Sequence, residues 1–245
     1  MSWMFPRSSG IHAPETREWI LGALYLPVFL FFLNFAILTY FPALGFPLTE
    51  PRNYFFANLL YMTVNFAVML LIFRRTLWQS LREFEGKMLL SVLIGFGMCY
   101  GANLVLTTAY TVLDIMPENY NQEAVNSLLG VYPLAMTLCT VVLAPLAEEC
   151  LFRGVLFAPL ARRCLPAAYA LSMFLFAGMH VFQFLGSMTA ANTILCLSLY
   201  LPASFSLCWV YQKTGNIWAC IFLHMFINFQ SVLASLLRSL MQAFL

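Results

Sequence analysis

Long apolar runs separated by short polar connections dominate the chain from about residue 19 onward. A helix rises about 1.5 Å per residue, so crossing a hydrocarbon core takes about 20 apolar residues. The pattern therefore predicts seven spanning helices, approximately 19–41, 54–73, 88–113, 128–150, 166–185, 190–211 and 216–237. Membrane strands would read as roughly 10-residue alternating segments, and these runs are continuous and too long for that. The expected fold class is all-α, a polytopic transmembrane helical bundle. Residues 151–165 are ambiguous: Phe152, Val155, Leu156, Phe157 and Leu160 suggest a short interfacial helix ending near Arg162 and Arg163, with an eighth span as the alternative.

Composition agrees with this solvent. Hydrophobic residues make up 62% of the 245 and charged residues 9%, against about 25% charged in soluble domains. A single integral membrane domain, 1–245, is expected, with no room for a soluble one. The net charge of +2 and the scatter of Lys and Arg argue against a nucleic-acid partner. Their placement instead orients the bundle. Arg7, Arg17, Arg74, Arg75, Arg82, Lys87, Arg162, Arg163 and Lys213 fall on one side, and only Arg52 and Arg238 on the other. Loops rich in Lys and Arg stay cytoplasmic, which puts the amino terminus inside and the carboxyl terminus outside. The first apolar run is too long for a signal-peptide core and lacks a cleavage site, so it is expected to be retained. Small size and minimal loops suggest a prokaryotic plasma membrane.

Seven cysteines show no C-x-x-C pairing and sit mostly within predicted spans, as small apolar filler does. Cys150 adjoins two glutamates, but a thiol in apolar surroundings is a poor nucleophile without a cation to activate it.

Charges inside spans are another matter, because each costs roughly 2.5–3.5 kcal/mol on insertion scales and those retained usually line a polar site. Glu149 and Arg153 stand at i and i+4, where helix side chains meet, while Glu148 points about 100° around the helix. Arg153 can thus hold Glu149 as a structural pair. Glu148 is left without a local cation and is the candidate general base. A buried ion-pair network that only fixes packing would show the same spacing. Pro145, three residues upstream of Glu148, cannot donate to the Val141 carbonyl and should bend or loosen the helix.

Two further spans carry polar pairs on one face. Phe176 and His180 lie four apart in the fifth, His224 and Asn228 four apart in the seventh, while the third histidine, His12, precedes the first span. His224 and Asn228 offer two donors to one point, the geometry that stabilises an oxyanion. Phe176 shapes or closes the pocket. Gly97 and Gly101 in the third span permit close helix contact and are read as packing.

The ordered set Glu148-Glu149-x-x-x-Arg153, Phe176-x-x-x-His180 and His224-x-x-x-Asn228 resembles the CPBP family of intramembrane proteases, which includes the type II CAAX prenyl endopeptidases and bacterial proteins linked to bacteriocin processing or immunity. The resemblance covers 128–237, and Gly215-Asn216-Ile217-Trp218 before the last motif also matches it. It implies an endopeptidase acting on a membrane-associated protein or peptide reached from the lipid, possible metalloprotease chemistry included. Glu148 and His180 would activate water and handle protons, His224 and Asn228 would hold the oxyanion, and Glu149 and Arg153 would support them. Glu148, His180 and His224 could alternatively ligate Zn²⁺, with water in the fourth position; a metal-free site accounts better for Asn228. A non-proteolytic member of the fold and a proton-coupled transporter are the competing readings, although no inverted repeat is visible.

Depth poses a problem. Glu148 falls near the cytoplasmic end of the predicted fourth span and His180 deeper in the fifth. Either the fifth span begins in the cytosol or the fourth extends beyond the bilayer; the former is expected, with a cytoplasm-facing cavity around the site.

Overall fold

The computed structural model describes residues 13–243; Arg7 and His12 lie outside the described residues. Among the described residues the chain is helical, without strands. The helices are α1 Thr16–Ala43, α2 Pro51–Ile72, α3 Arg74–Arg82, α4 Met88–Val112, α5 Tyr120–Val131, α6 Pro133–Ala161, α7 Leu165–Ser187, α8 Ala190–Thr214 and α9 Ile217–Ala243. Seven of them are long and apolar enough to cross a membrane, and α3 and α5 are not. The protein is an integral multi-pass membrane protein whose large exposed apolar side chains, such as Leu24, Phe35, Leu71, Leu90 and Val105, face outward.

The fourth span departs from its expected limits of 128–150. Residues 128–131 end α5, whose start is capped by Asn119: its Oδ1 accepts the Gln122 N–H at 3.1 Å. Tyr132 (φ −129°, ψ 61°) breaks the helix and Pro133 opens α6 at its first position. At the other end α6 runs on to Ala161, so residues 151–161 form neither an interfacial helix nor an eighth span. Pairing of Arg153 with Glu149 lets the helix carry both charges through the bundle. The extension also replaces the expected remedy for depth. Helix α7 begins at Leu165 much as predicted, and it is α6 that lengthens, which moves Glu148 from its end to its middle.

Helix α6 is the most buried span, with 50% of its most apolar window inside. It contains two widened, π-helical segments, Cys139–Leu143 and Cys150–Phe157. Each ends two residues before a proline, Pro145 and Pro159. A proline ring would clash with the carbonyl four residues back, and widening the turn relieves that clash. The loosening expected at Pro145 therefore takes the form of a wide turn. Carbonyls of these segments accept bonds from other helices: Val155 from Trp19 Nε1 at 3.0 Å and Thr140 from Asn228 Nδ2 at 2.8 Å.

Glu18 on α1, though buried, accepts the N–H groups of Arg75 and Thr76 at 3.0 and 3.3 Å. An anion at the first turn of α3 is where the helix dipole favours it. Asn216 then ties α9 to α3. Its Nδ2 donates to Ser80 O at 2.7 Å, its Oδ1 accepts from the N–H of Trp218 at 2.9 Å, and Trp218 Nε1 donates to Leu77 O at 2.7 Å. Gly215, at φ +65°, makes the left-handed turn that ends α8 and leads into this clamp.

The Gly97/Gly101 reading is corrected. A Cβ added to either would meet no atom within 4 Å, whereas at Gly95 it would lie 2.6 Å from Val210 Cγ2 and 2.9 Å from Leu223 Cδ2. Two residues of helix amount to about 200° of rotation, so the face of α4 that approaches α8 and α9 is nearly opposite the one the motif suggested.

Candidate functional site

Helices α6, α7 and α9 bring the intramembrane acids and both described histidines together. Glu149 is the hub. Its Oε1 accepts Arg153 Nη1 at 3.1 Å and pairs with His224 Nδ1 at 2.8 Å, while Arg153 Nε lies 3.1 Å from Oε2. Glu149 and Arg153 are fully buried and His224 is 3% exposed. Charges so far from water persist only when paired and hydrogen-bonded. Arg153 also donates through Nη2 to Ser204 O on α8 at 3.2 Å, and its guanidinium carbon stands 5.0 Å above the centre of the Phe176 ring.

Glu148 is held differently. Its Oε2 has no hydrogen-bond partner and lies 3.8 Å from His224 Nε2, beyond direct hydrogen bonding. Glu148 as a residue is 9% exposed, against 0% for Glu149 and Arg153. One face of His224 thus serves the Glu149–Arg153 pair and the other looks toward a carboxylate oxygen that nothing in the protein satisfies.

His180 joins the cluster through Phe176. The Phe176 ring lies 4.9 Å from the His180 ring and 5.5 Å from the His224 ring. His180 Nδ1 is 2.8 Å from the Phe176 carbonyl. A carbonyl only accepts, so Nδ1 carries the hydrogen and Nε2 is the atom left to bind or exchange a proton. The same logic applied to His224 Nδ1 against Glu149 leaves its Nε2 facing Glu148.

Asn228 does not share a target with His224 here. Its Nδ2 donates to Thr140 O, whereas His224 Nδ1 is engaged by Glu149. Cys150 is buried beside the cluster, in the wide turn of α6. Among the described residues, Glu148, His180 and His224 do not form a recognised three-ligand metal group, and Glu148 Oε2 and His224 Nε2 stand 3.8 Å apart.

Residues on α8 escaped the sequence reading. Tyr200 stacks on His180 and Ser204, four residues on, receives Arg153. Their i, i+4 spacing on an apolar span was the available signal.

Comparison with known proteins converges on the same segment. Residues 130–230 match the family model described as type II CAAX prenyl endopeptidase Rce1-like. YdiL of Bacillus subtilis (strain 168), a protein named provisionally as a membrane peptidase, is 28% identical over 166 residues. That alignment takes in 66% of this chain and 64% of YdiL, so the chain spans less than two thirds of that relative's length. No solved structure matches. All three motifs lie on the matched stretch, and residues 130–230 are similar to the Rce1-like group of the CPBP family.

Proposed function

We propose that the chain is an intramembrane endopeptidase that hydrolyses a peptide bond of a membrane-associated protein with water activated by Glu148. The observation that carries this is the contrast within the adjacent pair: Glu149 is ion-paired with Arg153 through both oxygens and bonded through Oε1 to His224 Nδ1, while Glu148 has no arginine or lysine partner among the described residues and its Oε2 stands unbonded 3.8 Å from His224 Nε2.

In this reading, His180 Nε2 accepts a hydrogen bond from water and orients it. Glu148 takes one proton as the water oxygen bonds to the peptide carbonyl carbon. The negative charge that develops on the carbonyl oxygen is met by the second amide hydrogen of Asn228, its first being committed to Thr140, and by Nε2–H of a doubly protonated His224 whose Nδ1–H stays on Glu149. The C–N bond then breaks, and the proton on Glu148 passes to the departing amine. Arg153 holds Glu149, and Glu149 holds the ring of His224. In this reading every step is carried by side chains of the chain itself. We read the amino terminus as cytoplasmic, from the basic residues flanking α1, α3 and α7, and the site as open to that side.

The test is cleavage by purified protein reconstituted in lipid, against prenylated carboxyl-terminal peptides and leader-bearing peptides. Glu148→Gln should lower the rate about 10²- to 10⁴-fold without changing the folded yield, and cleavage should persist after treatment with a chelator. A variant that cleaves at the wild-type rate removes Glu148 from the mechanism, and loss of activity on chelation that zinc restores replaces the metal-free route.

A further inference from the structure

His180 needs more than one hydrogen bond to present Nε2 in a fixed direction. The Phe176 carbonyl determines which nitrogen carries the hydrogen, but the χ2 torsion of histidine is broad, and the ring can still swing about that contact. A second constraint comes from α8. The Tyr200 ring lies 4.5 Å from the His180 ring at an interplanar angle of 23°, nearly parallel, while Phe176 approaches at 4.9 Å and 45°. The imidazole is thus flanked by two aromatic rings.

Tyr200 is itself anchored. Its hydroxyl donates to Asn119 Oδ1 at 3.0 Å and accepts from Asn121 Nδ2 at 3.2 Å. Asn119 Oδ1 also caps α5 through the Gln122 N–H, so the phenol is fixed to a helix start rather than to a mobile chain end. Helix α5 has a second hold on α7, where the Tyr120 and Phe184 rings stack at 6.1 Å. A phenol with two hydrogen-bond partners and a near-parallel neighbour has little freedom to turn.

We propose that Tyr200 is a positioning residue for His180: pinned by Asn119 and Asn121, its ring sets the plane of the imidazole and hence the direction in which Nε2 addresses the water. This rests on the peptidase reading for its catalytic consequence, but the geometry it asserts can be measured without activity. Tyr200 touches no reacting atom and acts through His180 alone. Asn119 and Asn121 act one step further out, through the hydroxyl.

The experiment compares Tyr200→Phe, Tyr200→Trp and Tyr200→Leu in reconstituted protein, with kcat and KM for one peptide and ¹⁵N-resolved NMR of the His180 ring. Removing the stack in Tyr200→Leu should lower kcat about 30- to 100-fold, in line with the cost of misplacing a reacting group by about 1 Å, with KM changed less than about threefold. Tyr200→Phe keeps the stack and loses the anchor, so it should lower kcat by about three- to tenfold. Tyr200→Trp should recover part of the loss. In the NMR spectra, His180 should show a single Nδ1–H tautomer in the wild type and a tautomer mixture or exchange broadening in Tyr200→Leu. An unchanged kcat and unchanged His180 signals in Tyr200→Leu would overturn the proposal, as would a loss carried by KM alone. Where Tyr200→Leu does not fold, Asn121→Ala and Tyr200→Phe provide the same readouts, and unaltered His180 signals in both would overturn it. Should the wild type cleave nothing, the peptidase reading fails while the ring spectra still decide the placement of His180.

Discussion

Asn228 on α9 donates to the Thr140 carbonyl on α6 at 2.8 Å, and that carbonyl is open because of a proline five residues later. In the wide turn Ala144 N–H bonds the Cys139 carbonyl, five residues back. The next bond in the series would run from residue 145 to Thr140, but Pro145 has no N–H. A missing backbone donor on one span is replaced by an amide side chain from another.

Asn228→Ala should then destabilise the protein as well as slow it. Leaving the Thr140 carbonyl unsatisfied costs about 1–3 kcal/mol. Pro145→Ala restores a backbone donor, so it should stabilise the Asn228→Ala protein more than the wild type by about 1 kcal/mol. Equilibrium unfolding in detergent of the two single variants and the double variant measures that coupling. Additive effects would break the link between proline and amide.

The Arg153 site makes a sharper energetic prediction. Arg153→Met strands Glu149 as a buried charge held only by His224, and breaking one partner of a buried pair costs about 3–5 kcal/mol. Combining Arg153→Met with Glu149→Gln removes the charge and should return a good part of that loss. Arg153→Lys keeps the charge but cannot reach Glu149 and Ser204 O together as the guanidinium does, and should fall between. Melting temperatures of the purified variants rank the four proteins, and a single variant as stable as the wild type would refute the pairing argument.

How much of this was legible in the sequence depended on the range of the interaction. Apolar runs gave seven spans because crossing a bilayer imposes a length on each helix independently. The Glu149–Arg153 pair was readable for the same local reason, four residues being one turn. Helices α3 and α5 were missed: α3 is basic and short, and α5 is polar at its start, so neither resembles a span. The reach of α6 to Ala161 was hidden because residues 151–165 also read as a separate interfacial helix, and the pairing that lets Arg153 stay within the continuous helix is seen only in the structure. The meeting of His224 with Glu149 joins positions 75 residues apart, which no local period encodes. Tyr200 was obscured for another reason: with aromatic residues at 16% of the chain, a tyrosine four residues from a serine on a span is too common a pattern to stand out until its neighbours are known.

The glycines of α4 separate a motif from its geometry. Gly95→Val should cost about 1–3 kcal/mol by overpacking against Val210 and Leu223. Gly97→Ala and Gly101→Ala, facing open space, should be neutral or gain up to about 1 kcal/mol from the better helix former. Unfolding of the three variants tests the face assignment. The reverse order of stabilities would mean that α4 is rotated from the orientation described.

Asn216 offers the last prediction, because it sets where the His224 ring arrives. The residue immediately precedes α9, and His224 and Asn228 follow it by about two and three turns. A shift at the helix start is therefore carried along a rigid rod to both. Asn216 holds that start from two directions, accepting the first N–H groups of α9 and donating to Ser80 O on α3. Asn216→Ala removes both and should lower stability by about 1–3 kcal/mol. Asn216→Asp keeps an oxygen for the cap but sets a carboxylate against the Ser80 carbonyl, so it should retain the helix and displace it from α3. In both variants kcat should fall, by more in Asn216→Asp than its stability loss alone would suggest, if register rather than folding is what the clamp controls. Measuring unfolding and kcat on the same preparations distinguishes the two. Equal activity per folded molecule in the wild type and both variants would show that the clamp secures the end of α9 without governing the site.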